Sequence, residues 1–198
     1  MIEFLELCSS EPFERIKYLY QNAKDSNQKN IEALAVSSFS KKKGEIFSRY
    51  VNLKFIRNNE FIFFSNYESP KAIQFIEHSQ VSGLIFWSQT NVQIRIQGRI
   101  KKTSKSFNQN YFEKRNKFKN ALAISSIQSN KVNNYEEVIK KYEDTLENAD
   151  LTRCPDYWGG FSIKPYFIEI WEGHKSRLNK RMTFNFVKSK WEKGFLEP

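Results

Sequence analysis

The stretch that most constrains this chain is Val92 to Ile100. Val92, Ile94, Ile96 and Ile100 fall on one side of an extended backbone, and Gln93, Arg95, Gln97 and Arg99 fall on the other. This period of two predicts a half-buried strand whose second face is polar and open to a ligand. Segments of the same kind surround it. Ala33 to Phe39, Glu45 to Phe55 and Glu60 to Ser65 are short, rich in β-branched and aromatic residues, and separated by the turn-like KKKG and RNN, which predicts antiparallel strands. Val81 to Trp87 reads as a buried strand, and Trp158 to Ser162, Tyr166 to Trp171, Met182 to Val187 and Lys190 to Phe195 as further strands.

Helices interrupt this pattern at definite places. In the first, expected within residues 1 to 30, Ser10 can cap, Pro12 lies in the first turn, and Phe13, Ile16, Leu19 and Tyr20 recur at helical spacing. A second opens at Ser69-Pro70-Lys71, a cap followed by proline, with Ile73, Phe75 and Ile76 as its apolar residues. Residues 106 to 148 form a helical insertion, with Tyr111, Phe112 and Arg115 on one turn and Tyr135 to Asn148 as a charged amphipathic helix; Arg153-Cys154-Pro155-Asp156 ends it, and residues 158 to 198 return to strands. Without repeats or a linker, the pattern predicts one α+β domain over residues 1 to 198: a six- to eight-stranded antiparallel barrel with peripheral helices.

Composition removes several classes of function. A chain of 198 residues, 39% hydrophobic and 27% charged, can bury roughly 70% of its unfolded surface as one domain. No apolar run approaches the roughly 20 residues of a membrane helix. MIEFLELCSSEPFER lacks the basic start and apolar run of a secretory leader, so a cytoplasmic location is expected. Cys8 and Cys154 are isolated, as are His78 and His174, so neither a disulfide framework nor a metal site is expected. The P-loop, the dinucleotide-binding glycine fingerprint and the hydrolase nucleophile elbow are all missing. A net charge of +10 with 16% aromatics suits a nucleic-acid binder or a protein that holds phosphorylated small molecules. Lysine and asparagine are in joint excess, however, and the one dense run, Lys41-Lys42-Lys43, precedes Gly44 as a hairpin turn. Nucleic acid is therefore not the expected partner.

Several segments, in order, carry a more specific signal. Arg49-Tyr50-Val51-Asn52-Leu53-Lys54 resembles R-x-V-L-L-K, and Phe63-Phe64-Ser65-Asn66-Tyr67-Glu68-Ser69-Pro70-Lys71 resembles F-Y-T-N-x-x-S-R-K. Gln93, Tyr111 to Arg115, Gln128-Ser129 and Trp158-Gly159-Gly160-Phe161 follow, then Glu169 to Gly173, Arg177 to Arg181, Trp191 and the terminal Leu196-Glu197-Pro198. Over residues 11 to 198 the chain thus resembles the pyridoxine (pyridoxamine) 5'-phosphate oxidases, flavin enzymes with an FMN-binding split barrel.

The resemblance implies an FMN-dependent oxidase that makes pyridoxal 5'-phosphate from pyridoxine or pyridoxamine 5'-phosphate, with dioxygen as acceptor and hydrogen peroxide as by-product. It implies a homodimer with FMN between the subunits. Arg49 and Lys71 would hold the flavin phosphate, with Ser69 and Pro70 placing it at a helix N-terminus. Val51, Asn52, Leu53, Lys54, Phe64, Ser65, Gln93, Gln128, Ser129, Trp171 and Arg181 would complete the cofactor pocket. Lys54, Tyr111 and Arg115 would bind the phosphate of the B6 vitamer, and Arg177 would lie over its ring. No residue is assigned as a general base, because hydride passes directly to the flavin.

Some positions depart from the family pattern. Pro70 stands in place of an arginine, Val92 in place of the arginine before Gln93, and Lys119 where a phosphate-binding serine is expected; Asn179 and Lys180 replace a histidine and an aspartate. Lys119 can still hold a phosphate, whereas Asn179 cannot become an imidazolium. Two alternatives stay open: a flavin enzyme of this fold acting on another substrate, such as a phenazine precursor, and a non-catalytic module that binds flavin or nucleic acid.

Overall fold

A computed structural model describes residues 1 to 198. Its strands β2 (Ala33–Ser40), β3 (Glu45–Arg57), β4 (Glu60–Asn66), β5 (Gln80–Trp87), β6 (Val92–Lys102) and β7 (Trp158–Glu172) pair antiparallel in the closed circuit β3-β2-β5-β6-β7-β4. Six strands thus close the barrel, and three extend its sheet. β1 (Glu3–Leu5) runs parallel to β3, while β8 (Lys180–Val187) and β9 (Lys190–Leu196) continue outward from β7. No helix is long and apolar enough to cross a membrane.

The alternation read in Val92 to Ile100 is the wall of this barrel. Val92, Ile94, Ile96 and Ile100 are buried, and Gln93, Arg95, Gln97 and Arg99 look outward. The KKKG segment turns β2 into β3, with Gly44 at φ +69°. Asn58 and Asn59 take φ of 50° and 59° between β3 and β4, the left-handed pair that the tightest hairpins require and that asparagine tolerates.

The helices differ from expectation in informative ways. In α1 (Glu11–Asp25), Ser10 sits at the N-cap, but its hydroxyl accepts from Asn59 Nδ2 at 3.2 Å rather than capping the helix. In α2 (Pro70–Glu77) only Ala72, Gln74 and Phe75 are buried; of its apolar residues, Ile73 and Ile76 are exposed. The insertion comprises α3 (Lys105–Lys114), α4 (Lys117–Ser125) and α5 (Tyr135–Asn148), the last over the residues expected for the amphipathic helix.

Two strands are also corrected. β5 is not buried on both faces: Leu84 and Phe86 look outward, and Leu84 lies in one row with Ala35 of β2 and Tyr50 of β3. The two segments expected around residues 158 to 171 are one strand, β7. Pro165 falls opposite Gly98 where the β6–β7 register shifts, and in the gap between the β4 and β8 partners. Proline is tolerated in sheets at such bulges.

The core is one large cluster closed by α1 and α2. Phe161 lies near its centre, 1% exposed, with ring centroids 5.9 Å from Phe63, 5.1 Å from Phe75 and 5.2 Å from Tyr67. Phe161→Ala should cost about 3–5 kcal/mol, through lost burial and the cavity left behind. Urea denaturation of wild type and variant would measure this, and a loss below about 1 kcal/mol would mean that the cluster repacks.

Candidate active site

The turn after β4 and the start of α2 bring together residues distant in sequence. Arg49, on β3, is half-buried: its guanidinium donates to Ser38 Oγ at 2.6 Å, to the Val36 carbonyl at 3.3 Å and to Gln74 Oε1 at 2.9 Å. Lys71, in the first turn of α2, donates to Gln128 Oε1 at 2.9 Å and Ser69 Oγ at 3.3 Å. Gln128 also accepts from Ser65 Oγ at 3.1 Å. None of the ion pairs includes Arg49 or Lys71. Burial, helped by the charge of Arg49, pushes the Lys71 ammonium down to about 8. Two adjacent cations without a counter-ion, beside a helix N-terminus and several hydroxyl and amide groups, fit a phosphate dianion. Pro70 occupies the first position of α2 and leaves that end of the helix intact.

A second group of cations lies at the end of β3 and along α3 and α4. Burial depresses the Lys54 ammonium, and the positive charges of Lys119 and Arg115 add to the effect, against partial compensation by Glu32 at 3.9 Å. Arg115 donates to the Lys119 carbonyl at 2.6 Å and to Asn120 Oδ1 at 3.0 Å, and its guanidinium lies 5.0 Å over the Trp158 ring. Tyr111 stacks on Phe64 at 3.9 Å with 18° between the planes, and Phe64 stacks on Trp158 at 5.1 Å. Burial raises the Tyr111 phenol, so it remains a neutral donor. Lys54, Tyr111, Arg115 and Lys119 therefore share one neighbourhood walled by flat rings.

Three other residues form a row across neighbouring strands. Gln93 pairs with Trp171, and Trp171 pairs with Arg181. All three look outward and are part-buried. In the closed circuit β6 lies three strand steps from Arg49's strand through β2 and β5, and β7 lies two steps away through β4, about 10 to 14 Å along the sheet at about 4.8 Å per step. One chain thus carries two separate parts of the residue set.

The remaining residues are placed more loosely. Val51 and Leu53 face the core and Asn52 faces outward, so Val51 and Leu53 can offer a ligand only backbone. Ser129 adopts φ 72° beside Gln128. Arg177 is exposed at φ 60° in the turn between β7 and β8, where Asn179 Oδ1 accepts from the His174 amide at 3.1 Å.

Residues without an assigned role in the sequence reading also matter. Ser38 and Gln74 fix Arg49. Glu169, 2% exposed, pairs with both Arg95 and Arg181. A carboxylate within the apolar run Phe167 to Trp171, level with the outward Arg95 of β6 and diagonal to Arg181 of β8, was the available signal.

The chain is similar to known proteins over most of its length. Residues 158–198 match the model of the pyridoxine 5'-phosphate oxidase C-terminal dimerisation region. Pyridoxine/pyridoxamine 5'-phosphate oxidase 1 of Hydrogenovibrio crunogenus is 32% identical over 177 residues, 88% of this chain and 81% of that protein. The Colwellia psychrerythraea pyridoxine/pyridoxamine 5'-phosphate oxidase is 34% identical over 88% of this chain and 82% of its own length. Among solved structures, PhzG of Burkholderia lata, in complex with tetrahydrophenazine-1-carboxylic acid, superposes with a TM-score of 0.90 at 25% identity, covering 96% of this chain and 94% of that one. On this extent of similarity, the chain belongs to the pyridoxine/pyridoxamine 5'-phosphate oxidase family.

Proposed function

We propose that the protein is an FMN-dependent oxidase that converts pyridoxine 5'-phosphate or pyridoxamine 5'-phosphate to pyridoxal 5'-phosphate. The observation that carries this reading is the pair of separate cationic clusters, one around Arg49 and Lys71 and one around Lys54, Arg115 and Lys119, each suited to a phosphate group. The first holds the flavin phosphate and the second the substrate phosphate. When bound, FMN would supply the two-electron acceptor, with dioxygen as the final acceptor and hydrogen peroxide as the by-product.

The chain's own contribution is binding and orientation. Arg49 and Lys71 fix one end of the cofactor, and Val51, Asn52, Leu53, Lys54, Phe64, Ser65, Pro70, Gln128 and Ser129 line it. Lys54, Tyr111, Arg115 and Lys119 grip the vitamer phosphate, and Arg177 and Asn179 cover its ring. Gln93, Trp171 and Arg181 reach the flavin of a second copy, which accounts for the split set. The homodimer would also cover the outward Tyr50, Leu84 and Phe86, which are 77%, 37% and 53% exposed.

The likeness to PhzG favours a second reading, in which the substrate bears a carboxylate rather than a phosphate. Turnover of pyridoxine 5'-phosphate beside unphosphorylated pyridoxine tests the choice. The proposed function predicts pyridoxal 5'-phosphate from the first and, because each charge-assisted bond contributes roughly 1.5–3 kcal/mol, at least about 100-fold lower kcat/KM for pyridoxine. Equal turnover of the two would refute the phosphate assignment.

A further inference from the structure

Glu169 occupies an unusual position. Its neighbours Ile168 and Ile170 point into the barrel and are fully buried, so Glu169 lies on the outward face of β7, yet it is only 2% exposed. Arg95 of β6 and Arg181 of β8 cover it. Arg181 Nε donates to Glu169 Oε1 at 2.8 Å, and Arg95 Nη2 donates to Oε2. Arg181 Nη1 donates in turn to the Glu197 carbonyl at 3.1 Å. A buried carboxylate between two arginines adds little stability over an apolar replacement, so a packing role explains it poorly.

We propose that Glu169 is a positioning residue for Arg181, holding the Nε edge of that guanidinium so that its remaining edge is presented to the flavin. The inference rests on the reading that Arg181 faces the cofactor. Arg95 is the second clamp on the same carboxylate: its ring-stacked guanidinium lies 5.6 Å over Phe167, and its own Nε is buried without a partner. Arg95 is thus held mainly through Glu169, whereas Arg181 has fixed partners at two of its nitrogens. One carboxylate therefore ties the Gln93 strand to the Arg181 strand and sets the direction of the cation that needs it.

A double-mutant cycle separates positioning from mere support of the sheet. FMN is titrated into flavin-free wild type, Glu169→Gln, Arg181→Ala and the double variant, with flavin fluorescence as the readout and a urea midpoint for each protein. Glu169→Gln should weaken FMN about tenfold in the wild-type background and less than about twofold once Arg181 is alanine, because the carboxylate then has nothing to aim. An equal loss in both backgrounds would overturn the inference and leave Arg181 as a flavin residue. If Arg181→Ala binds FMN as wild type does, the placement of Arg181 is wrong and the inference falls with it. Should Glu169→Gln fail to fold, Glu169→Asp keeps the charge and should give a smaller loss with the same dependence on Arg181; independence there would equally refute the proposal.

Discussion

Replacing Lys71 with alanine should raise the dissociation constant for FMN by about 10- to 150-fold, the equivalent of one charge-assisted bond of roughly 1.5–3 kcal/mol. The barrel should remain folded, because the ammonium stands at the first turn of α2 and outside the core. Titration of flavin-free protein by fluorescence quenching measures the change, and an unchanged affinity would remove Lys71 from the phosphate site. The depressed ammonium adds a dependence on pH. Lys71 falls from 10.5 to about 8 in the folded chain, so between those values the unfolded chain carries a proton that the folded chain has released. Stability of the flavin-free protein therefore rises with pH across that interval, and the full penalty is present below about pH 8. FMN affinity should run the other way, falling about tenfold from pH 7 to pH 9 as the free site loses its charge. Lys71→Arg should flatten that fall, and Lys71→Met should stabilise the flavin-free fold while weakening FMN.

Arg177 and Arg181 should fail differently, although only four positions separate them. Arg177→Ala should keep FMN bound and lower kcat/KM for pyridoxine 5'-phosphate by about 10- to 150-fold, because the lost contact is to substrate. Arg181→Ala should instead loosen FMN, and excess FMN should restore much of its activity. Arg177 is exposed in a turn at φ 60°, while Arg181 lies in β8 paired with Trp171 and bound to Glu169. Steady-state kinetics at limiting and saturating FMN separates the two effects. Identical behaviour would mean that the turn and the strand serve the same ligand. Asn179→His is a companion test. Asn179 already closes the turn through the His174 amide, so a gain in activity toward B6 vitamers would show that the asparagine is a drifted substrate contact.

Much of the barrel was legible in the sequence, for reasons tied to particular residues. The alternation of β6, the asparagine pair after Arg57 and the Ser69-Pro70 helix start each encode a local backbone choice, and local choices survive into the fold. The continuity of β7 through Pro165 was not legible, because a proline reads as a stop unless the register shift opposite Gly98, which leaves Tyr166 as the extra residue of β7, is known. Periodicity also gives the direction of a side chain without saying what it will meet. Val81 to Trp87 reads as a buried strand for its apolarity, yet Leu84 and Phe86 are at least partly exposed, as are Ile73 and Ile76 among the apolar residues of α2. The cation clusters were named by family pattern, but the groups that fix them, Ser38, Gln74 and Glu169, depend on pairings across strands that no spacing along the chain reveals.

The most direct test of the proposed chemistry is the visible absorbance of the FMN-loaded protein, mixed without oxygen with pyridoxine 5'-phosphate. The flavin band should bleach as one equivalent of pyridoxal 5'-phosphate forms, and on admission of air it should return with release of hydrogen peroxide. A band that persists while FMN stays bound, with no pyridoxal 5'-phosphate formed from either pyridoxine or pyridoxamine 5'-phosphate, would contradict the assignment.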